Sequence, residues 1–248
     1  QAHYDRRHRK GLTLAESRDL MSRYLHFAGM MVREGDADAM VAGIDSHYPE
    51  TIRPALQVVG KAEGVQKVAG LYMIALPNRK LLFFADASVN INPDEETLAE
   101  IAVLSAGFVR ELKMEPRVAM LSFSNFGSAP HRFSQKIANA VERIKELDPD
   151  LEVDGEMQAD AALNYETLKE LFPFSDLSGP ANILVFPNLG AANTAYKLMG
   201  EIGGAEVIGP ILMGMRHPVH VLQRGSTVQD AVNLITIASV DAAQRRDS

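Results

Sequence analysis

The succession of apolar and polar segments predicts an α/β fold, with strands and helices alternating along the chain around a largely parallel sheet. Three observations carry that prediction. Short apolar runs, such as 81–86 and 117–123, are bounded by turn residues as buried strands are. Between them lie stretches whose apolar residues recur with the period of a helix. The chain of 248 residues, 46% of them hydrophobic, is long enough to bury the core of one or two domains.

The elements follow in order. Thr13 and Glu16 form a capping-box pattern, and Leu14, Met21, Tyr24, Leu25, Ala28, Met31 and Val32 then recur at helical spacing, predicting one amphipathic helix. The run 39–43 predicts a short strand ending in glycine, 45–51 a polar loop and 53–59 a helix. Two buried strands, 70–76 and 81–86, flank a tight turn at Pro77-Asn78-Arg79-Lys80. Asn92-Pro93, followed by Asp94, Glu95 and Glu96, predicts the start of a helix reaching about Leu112. A strand at 117–123 and a helix at 130–147 come next, whereas acidic, polar 148–180 has little pattern and is expected to run over one lobe as an excursion. The strand 181–187 leads through a loop at 188–193 to a helix holding Tyr196 and Lys197, which Gly203-Gly204 would end. Runs 206–214 and 218–223 predict the closing strands. Ser226 with Gln229 forms a second capping-box pattern, and Val228, Val232, Ile235, Ser239 and Ala242 mark one face of the last helix.

Composition excludes several functions. With no cysteine there is no disulfide, no thiolate nucleophile and no cysteine-based metal site, so any thiol in the chemistry must belong to a ligand. A formal charge of −7 argues against nucleic-acid binding, which needs many cations on one face; a small anion needs only a local cationic cleft. No apolar run approaches the roughly 18 residues of a membrane span and no secretory signal is present, so a soluble, cytoplasmic protein with no membrane partner is expected. Neither a G-x-G-x-x-G fingerprint nor a Walker A motif occurs, leaving no sequence basis for a dinucleotide or NTP site. His217-x-x-His220 lacks a third ligand at suitable spacing, so no metal site is expected. The chain opens on Gln1 rather than methionine and is expected to be an excised or processed fragment.

Eight blocks resemble the phosphate acetyl/butyryl transferases: MVAG (40–43), TIRPALQ (51–57), FADASVNINP (84–93), RVAMLSFS (117–124), DGEMQADAAL (154–163), ANILVFPNLGAANTAYKL (181–198), IGPILMGM (208–215) and PVHVLQRG (218–225). The resemblance spans nearly the whole chain. It implies a two-lobed α/β/α sandwich of isocitrate/isopropylmalate dehydrogenase-like topology, with a second lobe (67–207) inserted into the first (1–66 plus 208–248). Coenzyme A would lie between the lobes, and the N-terminal part of the first lobe would lie outside this chain. In such enzymes the coenzyme A thiol, of pKa about 8.5 when free, attacks acetyl phosphate with help from a base while cations hold the phosphate.

By resemblance Asp230 is the base, and Arg7, Arg53, Ser128, Asn193, Lys197, Gln223, Arg224 and Asp230 bind acetyl-CoA or CoA. On the residues alone, Asp230 equally suits the first turn of a helix, where the dipole favours a carboxylate, and the cations equally suit a solvated surface. Two positions depart from the family. Val221-Leu222-Gln223-Arg224-Gly225 stands where the family has Asp-Leu-Ser-Arg-Gly, and Ser124-Asn125-Phe126-Gly127-Ser128 where it has Ser-Thr-Lys-Gly-Ser. With Gln223 for the catalytic serine and Phe126 for a lysine, no catalytic set is complete. Both versions resemble the C-terminal domain of hybrid malic enzymes.

The expectation is therefore an acetyl-CoA-binding allosteric regulatory domain, impaired in transfer, with acetyl-CoA as its effector. It would be covalently linked to an NADP-dependent malic enzyme, an oxidoreductase that keeps the NADP and divalent metal sites, and would form a homo-oligomer. The alternative is an active phosphate acetyltransferase.

Overall fold

The computed structural model describes residues 1–246. The chain divides into two compact units, 1–64 with 215–248, and 65–214.

The first unit opens with a short helix α1 (Ala2–Arg7) and a 3-10 turn at His8–Lys10. The single helix expected after Thr13 is two: α2 (Leu14–Met21) and α3 (Tyr24–Glu34). The Thr13–Glu16 capping box does start α2, but the Ser22 hydroxyl bonds back to the Asp19 carbonyl at 2.6 Å, and extended Arg23 then starts α3. Strand β1 (Met40–Ala42) leads to α4 (Tyr48–Val58), which starts five residues before the expected 53 because His47 and Glu50 form a capping box. Arg53 consequently lies in the second turn of a helix rather than just after a loop.

The second unit is built on a six-stranded sheet. Strands β2 (Ala69–Ala75) and β3 (Leu81–Ala85) form the expected hairpin. Helix α5 (Glu95–Glu111) follows, capped by Asp94, whose carboxylate accepts from the Thr97 amide at 2.9 Å; Asn92-Pro93 lies outside it. Then come β4 (Arg117–Leu121), α6 (Arg132–Leu147), β5 (Glu152–Met157), α7 (Ala159–Leu163) and α8 (Tyr165–Leu171). The 148–180 stretch is thus a strand and two helices, not an unpatterned excursion; its buried carboxylates disguise the strand. Strand β6 (Ile183–Val185), helix α9 (Leu189–Glu201) and strand β7 (Glu206–Met213) complete the unit. Asn188 caps α9 directly, so 189–193 is helix rather than loop.

The strand order is β5-β4-β6-β3-β2-β7. From β5 to β3 the neighbours are parallel, while β2 runs antiparallel to both β3 and β7. The sheet is mixed rather than largely parallel, since a tight hairpin can only join antiparallel strands. Residues alternate between its faces. Tyr72, Phe84, Leu121 and Leu184 pack with Ala162, Leu168 and Tyr196 of α7, α8 and α9. On the other face Phe83 meets Phe108 of α5 edge-on at 6.4 Å. The result is a three-layer α/β/α unit. Strand β7 is part of this sheet, which places 208–214 in the second unit rather than with the C-terminal segment.

The chain returns to the first unit through β8 (Val219–Val221), parallel to β1, and ends in α10 (Val228–Arg246). The apolar stripe expected to bury α10 faces outward in its first half, with Val228 83% and Ile235 53% exposed. Leu234, Ala238 and Asp241 are buried instead, together with Ala242 of the expected stripe. Asp241 is tolerated there because Arg245 pairs with it and donates to the Met215 carbonyl at 2.9 Å. Periodicity marks a stripe without saying which neighbour covers it.

Candidate functional site

In the first unit, the C-terminal ends of the parallel pair β1–β8 bring two loops together. The Leu222 amide donates to the Ala42 carbonyl at 2.8 Å. Gly43, at φ 116°, permits this approach: a Cβ there would sit 2.7 Å from the Leu222 carbonyl oxygen and 2.9 Å from Val221 Cγ1. Such a crevice at strand ends is the usual ligand position in α/β proteins. Arg224 is exposed on the β8 loop and its Nη2 lies 3.5 Å from the Asp45 carbonyl oxygen of the β1 loop. The Asp45 carboxyl is held below its ordinary pKa by hydrogen bonds from Tyr24 and Ser46, with Arg224 contributing.

Asp230 sits in the first turn of α10, but its capping partner is Thr227 rather than the Ser226–Gln229 pair expected from the sequence. Its Oδ2 accepts from the Thr227 amide at 2.7 Å and the Thr227 hydroxyl at 2.9 Å, and its own amide donates to Thr227 Oγ1 at 3.2 Å. Oδ1 accepts no hydrogen bond among the described residues, so one oxygen is anchored and the other is available. Ser226 instead closes the loop below Gln223, its Oγ accepting from the Gln223 amide at 3.1 Å.

Arg7 and Arg53 meet α4 on one face. Arg7 Nη1 donates to the Gln57 carbonyl at 3.3 Å, and Arg53, one turn earlier, is exposed on the same side as Gln57. Arg7 also lines a concavity of about 630 Å³ with Lys10, Arg23 and Gln57. The two carboxylates there, Glu16 and Asp19, are engaged by Thr13 and by Arg23.

In the second unit the mutually parallel strands place the loops after β3, β4, β5 and β6 at one sheet edge. Two buried carboxylates that the sequence reading did not single out organise that edge. Asp86, 3% exposed, accepts from the amides of Gly70, Ser88, Val89 and Asn90 and from Asn90 Nδ2. Glu156, 4% exposed, accepts from the Ser124 hydroxyl and the Gly127 amide, both at 2.7 Å. Asp86 directly follows β3, where an acidic residue closing an apolar run was the available signal; Glu156 lies near the end of β5, whose three acidic residues hide it.

Ser128 is exposed on the β4 loop, its hydroxyl accepting from the Asn125 amide at 2.9 Å. Phe126 points into the protein: its ring lies 5.0 Å from both Phe172 and Phe174. Asn193 and Lys197 do not join the loops at this edge. Asn193 Nδ2 donates to the Tyr196 hydroxyl at 3.3 Å, and Lys197 is exposed beside the Tyr196 ring, about 12 Å along α9 from its first residue.

Among the described residues no group of three His, Asp or Glu side chains is placed to hold a metal ion, and no helix is long and apolar enough to cross a membrane. His220 of the HxxH pair is 1% exposed, with burial depressing its pKa to about 4.

Comparison with known proteins identifies the architecture. The chain is 41% identical over 245 residues to a phosphate acetyltransferase of Clostridium acetobutylicum, covering 96% of this chain and 74% of that protein. A phosphotransacetylase structure from Staphylococcus aureus superposes with a TM-score of 0.89 at 35% identity, covering 98% of this chain and 74% of the other. One from Streptococcus pyogenes gives 0.89 at 38%, covering 97% and 73%. These relatives carry acyl transfer in their own names and match along most of their length. They overturn the reading of this chain as an acetyl-CoA-sensing regulatory domain tied to an oxidoreductase, the NADP-dependent malic enzyme. The similarity extends along nearly the whole chain and outweighs the two departures at Gln223 and Phe126. With a family model matched over residues 1–239, the chain belongs to the phosphate acetyl/butaryl transferase family.

Proposed function

We propose that this chain is a phosphate acetyltransferase, interconverting acetyl-CoA plus phosphate with acetyl phosphate plus CoA. The observation that carries the reading is the match, at 41% identity over 96% of the chain, to an enzyme of that name. The exposed Arg224 on the loop after β8 and the half-anchored carboxylate of Asp230 in the first turn of α10 support it.

In the direction of acetyl-CoA formation, Asp230 Oδ1 takes the proton of the CoA thiol and sulfur attacks the carbonyl carbon of acetyl phosphate. The C–S bond forms, the C–O bond to phosphorus breaks, and phosphate leaves with the electron pair. Thr227 holds Asp230 in one rotamer. Arg53 and Arg224 neutralise the phosphate, with Arg7 adding positive charge along α4. Gln223 replaces the family's serine and supplies an amide donor to the developing oxyanion. Ser128, Asn193 and Lys197 belong to the same reading as CoA contacts. CoA and acetyl-CoA are substrates here, not effectors, and a homo-oligomer is expected.

The test is release of CoA from acetyl-CoA, dependent on phosphate and followed with a thiol reagent; the chain has no cysteine, so the protein adds no background. Phosphate-dependent release, with acetyl phosphate formed in equal amount, is the expected result. Absence of turnover across phosphate concentrations from micromolar to millimolar would reject the proposal. Sedimentation of the same preparation tests the oligomer.

A further inference from the structure

The loop between β4 and α6 is shaped around a carboxylate that belongs to the protein. Four successive amides, 126 to 129, turn inward or close the loop. The Phe126 amide donates to the Glu156 carbonyl at 2.8 Å, and the Gly127 amide to Glu156 Oε1 at 2.7 Å. The Ser128 amide closes onto the Asn125 carbonyl at 3.0 Å, and the Ala129 amide onto Ser124 Oγ at 3.0 Å. Phe126 and Gly127 both have positive φ, 48° and 82°, and make a tight turn whose amides bond within the protein. Ser124, fully buried, relays the Ala129 amide to Glu156 Oε1 through its hydroxyl.

All four amides are thus spent on holding the loop, that of Gly127 directly on the Glu156 carboxylate and that of Ala129 through the Ser124 hydroxyl. What the loop presents outward is side chains: the Ser128 hydroxyl, and Asn125, whose Oδ1 accepts from the Gln158 amide at 2.7 Å and ties this loop to the one after β5. The phenyl ring of Phe126 fixes the other flank against Phe172 and Phe174.

We propose that Glu156 is a positioning residue for coenzyme A binding: it holds the 122–129 loop so that Ser128 meets the nucleotide ligand in a fixed place. The inference rests on the proposed transferase function. A group acting on binding alone, equally in ground and transition states, changes KM and leaves kcat nearly untouched.

The experiment uses the full chain with Glu156→Ala and Glu156→Gln, read by amide hydrogen exchange over 122–129 and by steady-state transfer. Alanine is expected to speed exchange in the loop and to raise KM for CoA by about tenfold, with kcat changed less than about threefold. Glutamine, which keeps an acceptor oxygen for Ser124 and Gly127, is expected to recover most of both. If Glu156→Ala does not fold, Ser124→Ala breaks the same relay at its outer end and is read in the same way. Unchanged exchange overturns the holding role, and faster exchange with unchanged KM overturns the role in binding. If the wild type transfers no acetyl group, the proposed function fails by itself, and calorimetric titration with CoA then decides the inference: equal affinity of wild type and variant overturns it.

Discussion

Asp86 gives the sharpest test of how this fold holds its loops. Its carboxylate is 3% exposed and accepts five hydrogen bonds. Oδ1 takes the Gly70, Ser88 and Val89 amides at 2.9, 2.9 and 3.1 Å, and Oδ2 takes Asn90 N and Nδ2 at 2.8 and 2.6 Å. The loop sits so close to β2 that a Cβ on Gly70 would lie 1.7 Å from Ser88 Oγ, leaving little room to rearrange. Asp86→Ala strands four backbone amides. A hydrogen bond to a charged group is worth about 1.5–3 kcal/mol, but water reaches the half-buried outer amides and the terms do not add, so a net loss of about 3–5 kcal/mol is expected. For a chain of this size that lowers Tm by roughly 10 °C. Asp86→Asn keeps one acceptor oxygen but turns an NH2 toward either Asn90 or the three amides, and is expected to lose about half as much. Urea unfolding followed by far-UV circular dichroism measures both, with an unchanged slope showing that stability alone has moved. A loss below about 1 kcal/mol for alanine would refute the claim that this carboxylate anchors the loop.

Acid should weaken the fold from about pH 6.5 downward. Burial lowers the pKa values of His3, His26, His217 and His220 in the first unit, His220 to about 4 from 6.5. A histidine whose folded pKa is depressed binds its proton more readily when unfolded, so its contribution is complete above pH 6.5 and lost as pH falls toward 4. For His220 that gap corresponds to about 3 kcal/mol, and urea midpoints at pH 7, 6 and 5 should fall steadily, less so in His220→Met; equal midpoints at pH 7 and 5 would contradict this. Gln223→Ala should lower kcat by about 100- to 1000-fold if the amide donates to the oxyanion, while Gln223→Ser should retain or raise it; an alanine variant of wild-type kcat removes Gln223 from the mechanism. Phe126→Ala should cost about 1–2 kcal/mol through loss of the contacts with Phe172 and Phe174, measured by thermal melting. Phe126→Lys should cost as much, because the ammonium would either lie among two rings or leave the cluster.

What the sequence determined by itself is the set of features decided locally. The Thr13–Glu16 box, the hairpin at 77–80, the strands at 117–121 and 183–185 and the family blocks all depend on neighbours a few residues apart, and they lie where the residues put them. Local competition moved the boundaries: Ser22 broke one helix into two, Asp94 rather than Asn92 capped α5, and Thr227 with Asp230 took the place of the expected Ser226–Gln229 box.

Tertiary structure alone decided the rest. Only the closing of the layers brings Ser124, 32 residues away, to Glu156, while the pairing of β2 with β3 adds the Gly70 amide to the four hydrogen bonds that Asp86 takes from its own loop. Only packing chose the buried side of α10, leaving Ile235 outside and drawing Asp241 in beside Arg245. A hydrophobic period gives the direction of a face and an acidic residue announces its charge, but what covers the one and what neutralises the other are long-range facts, fixed when the layers close.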